Sequence, residues 1–150
     1  MQPRQLFRTV AFAEVVTWAG LITALLLRAF GVTAAAVPIA GGIHGFVFLS
    51  YGTMTVVVWV NNRWSAGAGV LGLLSAVVPF ATLPFECAMD RRGRLDGPWR
   101  LASGGEEPHG FVEHVQAWVL RRPWLAIGLI LLLIVAVFIV LLILGPPIPR

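Results

Sequence analysis

Four long apolar stretches constrain this chain more than any other feature. They run over about 9–29, 39–60, 64–83 and 123–144. Each is close to the ~20 residues that cross a hydrocarbon core at about 1.5 Å per residue. Hydrocarbon offers no hydrogen-bond partner to a peptide group, so every N–H and C=O must pair within the segment, and each stretch is predicted to be a helix. They are apolar nearly all round, as helices surrounded by lipid or by other apolar helices are. Overall 58% of the residues are hydrophobic and 12% charged. A soluble domain carries about 25% charged residues, and the polar surface here is too small to cover a globule of this size. The expected fold is all-α: a polytopic membrane helix bundle of four transmembrane helices, a three-helix core over 4–94 plus a separate C-terminal helix.

The fourth stretch is the most uniform. Trp124 to Leu144 carries no charge, Arg121 and Arg122 flank it with Trp118 and Trp124, and Gly145-Pro146-Pro147 ends it. Cationic and aromatic residues anchor a span at the interface in this way. The third stretch is rich in small residues (Gly67, Ala68, Gly69, Gly72, Ser75, Ala76) and is interrupted by Pro79 and Pro84. Small residues let helices approach closely, and the same glycines also suit a flexible segment; both readings stand. Between the third and fourth stretches, 95–122 reads as a polar loop. Phe111, Val112, Val115, Trp118 and Val119 recur there at helical spacing. That pattern predicts a short amphipathic helix in the headgroup layer.

All eleven basic residues are arginines, against seven acids, for a net charge of +4. No basic stripe with interleaved aromatics is seen, so nucleic acid is not an expected partner; the bilayer is. Arginine distribution sets membrane orientation instead. With four spans, Arg4, Arg8, Arg63 and Arg150 fall on one side and Arg28, Arg91, Arg92, Arg94, Arg100, Arg121 and Arg122 on the other. That count puts the long loop in the cytoplasm, whereas Arg4 and Arg8 before the first helix favour an inside N-terminus. The first apolar run is too long for a signal-peptide core and contains Glu14, so it is expected to remain as a span.

Ionisable residues inside apolar stretches are costly and mark candidate sites. Glu14 lies about two turns into the first. It reads either as a proton-titrating or cation-binding carboxylate or as a structural one bonded to a neighbouring helix. His44, within Gly41-Gly42-Ile43-His44-Gly45, lies in the second, with Tyr51 on the same face. Arg28 and Glu86 are expected at the same end as His44, so that Arg28, His44 and Glu86 form a cluster. Arg91, Arg92, Arg94, Arg121 and Arg122 are candidates for binding anionic lipid headgroups. His109 and His114 are five apart, a spacing that does not place two ligands on one helical face, and Cys87 stands alone as the single cysteine; no metal site is expected. No nucleophile elbow or lysine-bearing phosphate loop occurs, so neither an enzyme nor a cofactor is expected.

Arg8 with Phe12-Ala13-Glu14, then Gly42-Ile43-His44-Gly45, Arg63-Trp64, and Pro79-Phe80 followed by Phe85 and a basic stretch, resemble the YdzA-like small integral membrane proteins of bacteria. The resemblance covers about 4–94. It implies a compact membrane protein of about three spans and no catalytic residues; the loop and the fourth apolar stretch are additions to that pattern. The leading expectation is a non-enzymatic accessory or structural component of the bacterial plasma membrane, multi-pass, that meets another membrane protein or a second copy of itself. A proton-coupled small transporter using Glu14 is the first alternative, and Ala13-Glu14-Val15 is similar to part of the small multidrug-resistance carriers. Binding of anionic lipid is the second.

Overall fold

In the computed structural model the described residues are 2–126, 128, 129 and 132, and among them there are helices and no strand. Five helices follow in order: α1 (Pro3–Ala29), α2 (Ala36–Asn61), α3 (Ala66–Val77), α4 (Thr82–Arg91) and α5 (Gly110–Arg121). The chain forms two units, Met1–Arg100 and Leu101–Arg150. The expected C-terminal span over 123–144 lies for the most part outside the described residues.

Among the described residues, α1 and α2, of 27 and 26 residues, are the two helices long and apolar enough to cross a membrane. Their most apolar segments are only 17% and 22% buried. The core helix of a soluble protein would be covered; these expose Phe12, Val16, Leu26, Ile39, Ile43, Phe46 and Leu49 by half or more. Backbone capping explains where α1 stops. Gly31, at φ 73°, takes the left-handed position after the helix, and the N–H groups of Gly31 and Val32 bond to the carbonyls of Arg28 and Leu27. This is a Schellman closure, and glycine adopts its left-handed residue without penalty. The C-terminus of α2 closes the same way, with Arg63 left-handed at φ 49° and the N–H of Trp64 bonded to the carbonyl of Trp59.

The third expected span, 64–83, is where the structure departs most from the sequence reading. Ser65 caps α3 by accepting the Ala68 N–H, and the helix ends after 12 residues at Val77. At about 1.5 Å per residue that is roughly 18 Å, little more than half of a ~30 Å core. Pro79 lacks the N–H a continuing helix needs, and Phe80 takes a left-handed φ of 65°. The chain then reverses into α4. Helix α3 runs antiparallel to α2: Gly69 packs on Trp59, Gly72 on Thr55, and Ser75 meets Tyr51. Helix α4 runs antiparallel to the first half of α1. The Thr82 hydroxyl donates to the Ala11 carbonyl at 3.0 Å, Glu86 meets Arg8 and Asp90 meets Arg4. Together α3 and α4 make a helical hairpin that starts and finishes at one end of the α1–α2 pair.

That end is tied together by aromatic packing and by backbone carbonyls. Phe7 lies 5.5 Å from the Tyr51 ring, 5.7 Å from Trp64 and 6.4 Å from Phe85. Asn62 donates to the carbonyls of Arg94 and Asp96, and the Trp64 indole donates to Arg94 at 2.8 Å. The Arg100 guanidinium donates to the carbonyls of Val60 and Asn61 at the end of α2. A cation at a helix C-terminus both fills these acceptors and offsets the negative end of the dipole.

In the second unit, the Arg121 guanidinium donates to the carbonyls of Leu101 and Glu106, holding the polar segment against the last turn of α5. This helix is turned inside out relative to a soluble one: Gln116 and Ala117 are buried, while Phe111, Val112, Val115, Trp118 and Val119 are exposed.

Candidate functional site

Glu14 is the only acid before Glu86. It sits 11 residues beyond Pro3 in α1 and is fully buried. Its neighbours come from α1 and α2. His44 is also buried, and its Nδ1 lies 3.8 Å from Glu14 Oε2 and 3.2 Å from the Thr17 hydroxyl oxygen. The Trp18 ring covers His44 at 4.5 Å, and Trp18 is fixed by its indole N–H, which donates to the Ala76 carbonyl at 3.2 Å. The tip of α3 therefore closes the lower side of this site, although it supplies no titratable group.

Neither carboxylate oxygen of Glu14 has a hydrogen-bond partner. The nearby hydroxyl protons are used elsewhere. Ser75 donates to the Gly72 carbonyl at 2.6 Å, so the Tyr51 hydroxyl, 2.9 Å away, donates to Ser75. The single Thr17 proton serves either the Glu14 backbone carbonyl at 3.1 Å or His44 Nδ1. A buried ionised carboxylate without a donor is strongly disfavoured, which favours a Glu14 that is protonated or beside a cation.

A second cluster lies at the arginine-rich end. Arg8 Nε is 3.0 Å from Glu86 Oε1, and an Arg4 guanidinium nitrogen donates to Asp90 Oδ2 at 2.7 Å. Glu86 is fully buried, whereas the Arg8 side chain is 53% exposed. Water therefore screens the pair from one side. The expected cluster of Arg28, His44 and Glu86 does not form. Because the chain reverses at Pro79-Phe80, α4 carries Glu86 back to Arg8, at the opposite end from Arg28. Arg28 stands exposed in the last turn of α1, outside both clusters. Tyr51 is buried below His44, bonded to Ser75 and stacked on Phe7. Arg91, Arg92 and Arg94 are exposed at the arginine-rich end, and Arg121 and Arg122 are exposed at the end of α5. Thr17, Trp18, Arg8 and Asp90 escaped the sequence reading. Thr17 and Trp18, three and four residues after Glu14, share its helical face, so spacing alone points to both. Among the described residues no group of three or more His, Cys, Asp or Glu side chains is placed to hold a metal ion.

Beside this site lies an apolar groove of about 440 Å³ between the upper halves of α1 and α2. Val16, Gly20, Ala24, Ala36, Ala40 and Ile43 line it. A Cβ added at Gly20 would meet nothing within 4 Å.

A family model described as a domain of unknown function, DUF3817, matches residues 4–91. The chain belongs to that family. Its match takes in α1 to α4 and both clusters, and ends where the hairpin ends. The chain is also similar to a Streptomyces coelicolor protein named "Putative membrane protein SCO5905", 38% identical over 94 residues. Those residues are 61% of this chain and 11% of the Streptomyces coelicolor protein, so the chain spans about a ninth of that relative's length. No solved structure matches. Family membership, the relative and the two exposed apolar helices together make this a helical membrane protein of unknown function.

Proposed function

We propose that this DUF3817 chain is a non-enzymatic accessory module of the bacterial plasma membrane that docks another membrane helix against the upper halves of α1 and α2. The observation that carries this reading is the small-residue groove at Gly20, Ala24, Ala36 and Ala40. Small side chains let a third helix approach closely in lipid, where van der Waals packing rather than hydrophobicity drives association. In the Streptomyces coelicolor relative the matched stretch is a small part of a much longer chain, which fits a module that serves a larger one.

In this reading α1 and α2 are the two spans of the first unit, and the α3–α4 hairpin is re-entrant. Of the arginines in residues 1–100, Arg4, Arg8, Arg63, Arg91, Arg92, Arg94 and Arg100 then share one side and Arg28 lies on the other. The positive-inside rule places the arginine-rich end in the cytoplasm. Within the first unit, Arg4 and Arg8 before α1 and Arg91, Arg92 and Arg94 at the end of the hairpin then fall on the same face.

The test is purification of the tagged chain from its own host in mild detergent, with the wild type and Gly20→Leu side by side. The reading predicts a stoichiometric membrane partner, or a second copy, retained by the wild type and lost from a folded Gly20→Leu variant. A single-copy preparation in both cases refutes it.

A second reading is favoured by α5. Its outward apolar stripe and the exposed Arg121 and Arg122 suit a helix lying in an anionic headgroup layer. Replacing Arg91, Arg92, Arg94, Arg121 and Arg122 by Gln should then abolish a salt-sensitive preference for anionic over neutral lipid. An unchanged preference rejects it.

A further inference from the structure

We propose that Glu14 and His44 form an intramembrane proton-binding site that holds one exchangeable proton between them. Three observations on the site carry this. Glu14 is fully buried and neither of its carboxylate oxygens has a hydrogen-bond partner. His44 Nδ1 stands 3.8 Å from Oε2, close enough for a small side-chain adjustment to make a direct bond. Of the surrounding hydroxyls, Tyr51 donates to Ser75 and Ser75 to Gly72, while the one Thr17 proton is divided among the Glu14 backbone carbonyl, His44 and the Glu14 carboxyl. The carboxylate therefore either carries its own proton or accepts the one on the imidazole.

The two forms differ only in where that proton sits. In one, the Glu14 O–H bond is intact and His44 is neutral. In the other, that bond has broken, an N–H bond has formed at Nδ1, and a carboxylate faces an imidazolium. The pair has zero net charge in both, so the apolar surroundings tolerate either. Removing the proton altogether leaves a buried negative charge, and adding a second leaves a buried positive one. The site is thus built to keep one proton and to move it over a short distance.

The other titratable groups packed around the pair do not neutralise Glu14. From α2, the Tyr51 hydroxyl is bonded to Ser75. From α4, Glu86 is occupied by Arg8, and the Cys87 thiol donates to Glu86 at 3.5 Å. On α1 itself Arg8 lies six residues earlier and is taken up by Glu86 and Asp90. Helix α3 contributes Ser75 and the Ala76 carbonyl. The groove beside Thr17 and Ile43 is almost wholly apolar and offers Glu14 no charged partner.

The experiment is infrared difference spectroscopy of the full chain in liposomes, titrated with pH in H₂O and D₂O. The wild type is compared with Glu14→Gln and His44→Gln. The proposal predicts a protonated-carboxyl C=O band that is absent from Glu14→Gln, shifts on transfer to D₂O, and titrates. In His44→Gln its midpoint should be displaced by about one pH unit or more, the effect of a charge partner within ~4–6 Å. A Glu14 band that neither titrates nor shifts in D₂O, or no such band at any pH, overturns the proposal, as does a midpoint unmoved in His44→Gln. Should His44→Gln fail to fold, the same coupling is read from the ¹⁵N shifts of His44 in the wild type and in Glu14→Gln. Identical histidine titrations in the two would also overturn it.

Discussion

Two glycines in α3, two residues apart, should respond to the same substitution with opposite sign. Gly69 is buried against the indole of Trp59, and a Cβ there would overlap the ring. Gly67 is exposed, with nothing within 4 Å of an added Cβ. In Gly69→Ala the indole must swing away, which costs about 1–3 kcal/mol for overpacking. That swing also breaks the bond from the Trp59 N–H to the Trp64 carbonyl, now 3.0 Å, worth roughly 1 kcal/mol. The better helix propensity of alanine returns up to about 1 kcal/mol. The net loss should be about 1–3 kcal/mol. Gly67→Ala keeps only the propensity gain, a few tenths to about 1 kcal/mol of added stability. Reversible unfolding in mixed detergent, followed by tryptophan fluorescence, measures both. If the two variants shift stability equally, or if Gly69→Ala is neutral, then α3 does not pack on α2 through Trp59 and the hairpin is wrong.

The same assay tests the other contacts of the hairpin. Arg8→Ala leaves Glu86 buried without its cation and should lower stability, by less than breaking a fully enclosed pair because Arg8 is half in solvent. Arg4→Ala, whose pair with Asp90 is more exposed, should cost under about 1 kcal/mol. Thr82→Val keeps the shape but loses the bond to the Ala11 carbonyl, for a loss of roughly 1 kcal/mol; no loss would place α4 elsewhere. Phe80→Gly relieves a left-handed non-glycine residue and should be neutral or stabilising by up to about 1 kcal/mol, whereas a loss above that would argue against the reversal at this position.

The long helices were legible because hydrocarbon imposes one solution on an uninterrupted apolar run, and α1 and α2 follow it. The third stretch was not, because composition cannot distinguish a span from two short helices joined by a turn. Its breakpoint was nonetheless written in Pro79, and the small residues Gly69 and Gly72 are at the α2 contact for the reason small residues usually are. Glu14 and His44 stood out by their cost in an apolar setting, and they do meet. Their partners Thr17 and Trp18 did not stand out, since a threonine and a tryptophan in an apolar helix are ordinary until a neighbouring helix is placed beside them. Glu86 meets Arg8 and not Arg28 because the chain turns back at Pro79-Phe80, which hydropathy alone does not reveal.

The topology is tested most directly by membrane-impermeant thiol labelling of single-cysteine variants, with Cys87 replaced, in intact and in permeabilised cells. Probes at Gln2, Thr33 and Arg92 report the start of α1, the α1–α2 turn and the end of the α3–α4 hairpin. The account predicts that Gln2→Cys and Arg92→Cys are labelled only after permeabilisation, and that Thr33→Cys is labelled in intact cells. Labelling that puts Gln2 and Arg92 on opposite faces of the membrane would contradict it.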